Sequence, residues 1–116
     1  MAKVRQREIT ENIAVVFTAT GSEDLTDWCV ESIDRKRGVN GHGSHFLVLR
    51  DGQTLETRDR DTFGNLIWHL DDDTVYIRMV GDKDALTDEQ EEALDRLRAE
   101  LEHAYPNAEF FYADAE

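Results

Sequence analysis

The sequence predicts an α/β fold, a mixed β-sheet with helices packed on it, in the order β-α-β-β-β-α-β. Three observations carry this. Residues 13–19, IAVVFTA, form an unbroken apolar and β-branched run that suits a strand buried on both faces. Asp51 followed by Gly52, set between HFLVLR and QTLETR, is a hairpin signal. Leu94, Leu97, Leu101 and Tyr105 recur at helical spacing behind Thr87 and Gln90, which have the spacing of a capping box.

Each element follows from its local chemistry. After the first strand, Gly21 and Ser22 signal a turn, and Leu25, Trp28, Cys29 and Ile33 then trace the apolar stripe of a short helix that Gly38 stops. On this spacing Trp28 is a core residue, Cys29 is packing material and Phe46, on the next strand, is core as well. GVNGHGS is a glycine-rich loop, and the hairpin on either side of Asp51 and Gly52 supplies two antiparallel strands. Residues 59–73 lack periodicity and carry Asp71, Asp72 and Asp73, so they read as a long loop before the strand TVYIRMV. The capped helix follows, ended by Pro106 and Asn107, and AEFFYA makes the last strand.

The 116 residues suit a single domain, 1–116, with no internal repeat or linker. No apolar run approaches the roughly 18 residues of a membrane span, and the start lacks the hydrophobic centre of a signal peptide, so an intracellular location is expected. The formal charge of -13 repels phosphate backbones and anionic lipid heads, so neither direct nucleic-acid binding nor membrane binding is expected. One cysteine excludes an internal disulfide and a cysteine-rich zinc module. His42 and His45 form an H-x-x-H at a loop-to-strand junction, where packing is the commoner role, and the aspartate run lacks the glycine and terminal glutamate of a calcium loop. No cofactor is expected on these grounds. Ser44 has no nucleophile-elbow sequence around it, and the carboxylates are too numerous to single out a catalytic pair.

Four blocks nevertheless belong together: KVRQREIT leading into VVFTAT, then GSHFLVLRDGQTLETRD, then VYIRMVG, then LTDEQ before an Ala-Leu helix. In this order they resemble the N-acetylmuramoyl-L-alanine amidases of short-tailed phages, the T-seven-type lysozymes, and more distantly the type 2 amidase and peptidoglycan recognition fold. The resemblance implies an amidase-like fold over nearly the whole chain. It also implies a zinc site whose residues are not matched here. Phe17 stands where the family has its first zinc histidine, Asp114 where it has the second, and Ser44 where it has the active-site tyrosine. The third ligand and the catalytic lysine have no counterpart. His45 and His69 match family histidines, as packing or as a residual pocket.

From these differences follows the expectation of a zinc-independent, non-catalytic amidase-like viral or prophage protein, located in the host cytoplasm if viral. The resemblance implies a protein partner, because the T-seven-type lysozyme also binds the phage RNA polymerase and inhibits transcription. A polymerase, a nuclease or a host defence factor is the expected target, met by Asp71, Asp72, Asp73, Asp82 and Asp84 in loops flanking one strand. The alternative is a peptidoglycan or small-ligand binding module using the cleft around Ser44, His45 and His69.

Overall fold

The apolar run near the start of the chain lies inside the sheet, with a strand on either side. In the computed structural model, which describes residues 7–113, strand β1 (Asn12–Phe17) pairs in parallel with β4 (Thr74–Met79) and with β5 (Glu109–Tyr112). Strand β2 (Phe46–Val48) adds in parallel to β4, and β3 (Thr54–Glu56) closes that side as the antiparallel arm of the hairpin. The sheet order is β3-β2-β4-β1-β5. Ile13, Ala14, Val15 and Val16 are all fully buried because elements cover both faces, and this is why β1 reads as continuous apolar sequence rather than as an alternation.

One face is covered by helix α2 (Asp88–Ala104), which presents Ala93, Leu94, Leu97 and Leu101 to Ile13, Val15, Phe46, Val48, Ile77 and Met79. The capping box forms as expected: Thr87 accepts from the Gln90 N–H at 3.0 Å, and the Gln90 side chain accepts from the Thr87 N–H at 3.1 Å. Gln90 is itself fully buried and its amide also donates to the Val80 carbonyl at 2.8 Å. One side chain therefore caps the helix and satisfies the end of β4 beneath it.

The other face carries helix α1 (Asp27–Lys36) and the loop between β3 and β4. Val30 packs on Leu47 and Val80, while Leu66 and Ile67 of the loop pack on Ala14, Val16 and Tyr76. Phe46 is 3% exposed, in agreement with its expected core position. Trp28 is not a core residue: it is 71% exposed, and Cys29 is only half-buried. The helix is rotated relative to the apolar stripe because its inward residues are Val30 and Asp34. Asp34 is fully buried, and its Oδ1 accepts from Arg78 Nη1 at 2.6 Å while its Oδ2 accepts from the Gly43 N–H at 2.8 Å. A carboxylate with a buried partner can set the inward face of a helix, and hydrophobic spacing does not register it.

The β3–β4 loop lies so close to the sheet that it needs glycine at one point. A Cβ on Gly64 would sit 2.4 Å from the Tyr76 ring and 3.0 Å from His45 Cε1. Gly64→Ala is expected to cost about 1–3 kcal/mol, the usual penalty for overpacking, measured as a shift of the urea midpoint at constant slope. An unchanged midpoint would show that the loop is not held against the sheet.

Candidate functional site

The C-terminal ends of β1 and β5 bring two aromatic rings together. Phe17, the last residue of β1, stacks on Tyr112 of β5 with centroids 5.9 Å apart and planes 19° from parallel. Tyr112 meets Phe110 edge-on, and the Lys83 ammonium lies 5.3 Å from the Tyr112 centroid. Beside the stack is a pocket of about 320 Å³ whose wall is completed by Leu86, Leu94, Glu91 and Asp95. Asp114 lies outside the described residues.

A zinc centre needs three converging protein donors and an open position. The ring at Phe17 offers none, and among the described residues no group of three or more His, Cys, Asp or Glu is placed to hold a metal. The described residues therefore do not assemble the zinc site that the resemblance implies.

Ser44 is fully buried, and its Oγ has no hydrogen-bond partner among the described residues. His45 is also fully buried. Its Nδ1 accepts from the Tyr76 N–H at 3.0 Å, so Nε2 carries the proton and donates to the Thr62 carbonyl at 2.8 Å. Burial lowers its pKa to about 4, and the nearby Arg7 and Arg58 push the same way against the Thr62 carbonyl and Glu56. A neutral imidazole thus takes the place of a backbone carbonyl in satisfying β4. His69 is exposed and meets Trp68 edge-on at 5.7 Å. The two histidines are not brought into one pocket.

The acidic residues are also divided. Asp71 turns inward and accepts from the Leu66 and Ile67 N–H groups at 3.0 and 3.2 Å and from the Tyr76 hydroxyl at 2.7 Å. Burial, then this carboxylate, pushes the Tyr76 phenol pKa upward, so it remains a donor. Asp73 accepts from Asn12 and Thr74, and Asp82 from the Gly21 N–H at 3.0 Å. Asp72 and Asp84 are exposed. Three of the five carboxylates thus bind their own chain. Sequence reasoning missed the Asp34–Arg78 pair, although a charge at the centre of TVYIRMV and an aspartate one helical turn beyond Val30 were the available signals.

No family model matches the chain. The endolysin of Klebsiella phage KP32 is 30% identical over 93% of this chain and 78% of its own length. The endolysin N-acetylmuramoyl-L-alanine amidase LysCS from Clostridium intestinale URNW superposes with a TM-score of 0.82 at 20% identity, over 96% of this chain and 73% of that one. Drosophila peptidoglycan recognition protein SD gives 0.80 at 14% identity, over 97% and 74%. These confirm the amidase-like fold. They overturn the expectation of a pseudoenzyme that inhibits a polymerase, nuclease or host defence factor, because the relatives are named as wall-lytic enzymes and a peptidoglycan recognition protein. A protein partner is overturned with it, and so is the expectation that the chain is not an enzyme. At 30% identity along nearly its whole length, the chain belongs to the phage endolysin family.

Proposed function

We propose that the chain acts on the bacterial cell wall, with peptidoglycan as the polymer it recognises and as its substrate. The observation that carries this reading is the alignment with a phage endolysin across 93% of the chain. The likeness to a peptidoglycan recognition protein at a TM-score of 0.80 supports the same ligand. Among the described residues no helix is long and apolar enough to cross a membrane.

The test uses purified sacculi. The chain is expected to sediment with them, and an excess of soluble muropeptides is expected to release it. Mass spectrometry of the supernatant reads hydrolysis in the same tube as soluble wall fragments. Protein that stays in the supernatant, with no fragments released, would overturn the reading.

A further inference from the structure

We propose that Trp28 and Trp68 are stacking platforms for the sugar rings of the glycan strand, an inference that rests on peptidoglycan being the ligand. The chain has two tryptophans, and both face solvent, Trp28 at 71% and Trp68 at 81% exposure. Tryptophan is usually well buried, and an exposed indole on a folded surface is an apolar face available to a ligand.

Both rings stand on hydrogen-bonded backbone. Trp28 occupies the first turn of α1, capped by Thr26, and its carbonyl accepts from Ser32 Oγ at 3.0 Å. Trp68 follows Ile67, which is 4% exposed and packs on the sheet, and the turn closes with the Leu70 N–H on the Ile67 carbonyl at 2.8 Å. The His69 ring edge buttresses the indole. Such platforms lose little conformational freedom on binding.

The two platforms also share one side of the sheet. Val30, below Trp28, packs on Leu47 and Val80, and Ile67 belongs to the cluster of Ala14, Val16 and Tyr76. Leu47 on β2 and Val16 on β1 flank Arg78 of β4 as its register partners, so the two supports rest on one face of the sheet, two strands apart. The Arg37 guanidinium donates to the Asn65 carbonyl at 3.2 Å and ties α1 to the loop.

Charge selects the occupant. Asp24, Asp27 and Glu31 lie near Trp28 in the chain, Asp71 to Asp73 follow Trp68, and the whole chain carries -13. This field opposes phosphate-bearing polymers. The glycan backbone of peptidoglycan carries no such charge where its lactyl carboxyl groups are consumed in amide bonds to the stem peptide. The weakly positive C–H face of a pyranose matches the negative face of an indole.

Because both tryptophans are the proposed contacts, intrinsic fluorescence reads binding directly. Titration with a soluble N-acetylglucosamine oligomer is expected to give a saturable blue shift. Trp28→Ala and Trp68→Ala are each expected to weaken binding about tenfold, the effect of losing about one aromatic contact, and to retain the wild-type circular dichroism. Trp→Phe at either site is expected to recover part of the loss. No spectral change with the oligomer, together with wild-type sedimentation of the Trp28→Ala/Trp68→Ala double variant on sacculi, would overturn the platforms and leave peptidoglycan as the ligand. Failure of the wild-type chain to sediment on sacculi would overturn both.

Discussion

Replacing Asp34 with Ala is expected to remove about 3–5 kcal/mol of stability, because it leaves the Arg78 guanidinium buried without its counter-charge. Asp34 and Arg78 have side-chain exposures of 0% and 5% and meet at 2.6 Å. Arg37, which lies 3.8 Å from Asp34 and partly in solvent, is a second cation and offers Arg78 no counter-charge. The loss has a second part, since the Gly43 N–H also forfeits its acceptor. Asp34→Leu combined with Arg78→Met should recover most of the stability, as apolar replacement of both partners of a buried pair is often neutral. Urea denaturation of the three variants is the measurement. A loss below about 1 kcal/mol for Asp34→Ala would mean that water reaches the pair.

Stability is expected to fall by about 3 kcal/mol as the pH drops from 6.5 to 4, through His45 alone. The sign follows from the direction of the shift. The unfolded histidine takes up a proton near pH 6.5, whereas the folded one, held neutral by burial, resists until about pH 4. Above 6.5 both states are neutral and the full stability is present. Between the two values only the unfolded state gains the proton, and below 4 both carry it and the fall ends. Protonation of Nδ1 would also remove the acceptor of the Tyr76 N–H. Denaturation series at several pH values should therefore differ in slope between wild type and His45→Gln, which lacks this titration. Parallel pH profiles would refute the assignment, because the surface carboxylates contribute equally to both proteins.

What could be read in the sequence depended on whether the determining interaction was local. The α2 capping box and the apolar run of β1 were legible because neighbours in the chain carry the signal. The inward face of α1 was not, since Asp34 is made a core residue by Arg78, 44 positions away. In the same way Asp71, one of three consecutive aspartates, scans as a solvated residue, but the Tyr76 hydroxyl and two loop N–H groups turn it inward. At the candidate site, Phe17 stands where the resemblance implies a metal donor. Inferring an inhibitor from that absence went too far, because similarity spread along 93% of the chain outweighs one position. The exposed indoles escaped notice because the helical spacing assigned Trp28 to the core and the irregular loop gave Trp68 no assigned face.

The central place of β1 has a consequence for the order of events as the chain is made. Asn12 pairs with Thr74 on one side and with Glu109 on the other, so among the described strands the first to be synthesised waits for the last two. Pairings this distant in sequence carry a large loop-closure cost and slow the search for the native sheet. Until β4 and then β5 arrive, IAVVF is a β-prone segment without ionisable side chains, and such stretches associate between molecules when left open. Refolding is therefore expected to compete with aggregation in a concentration-dependent way. The acidic residues that follow β1, Glu23, Asp24 and Asp27, act as neighbouring charges that slow this association while the chain is incomplete.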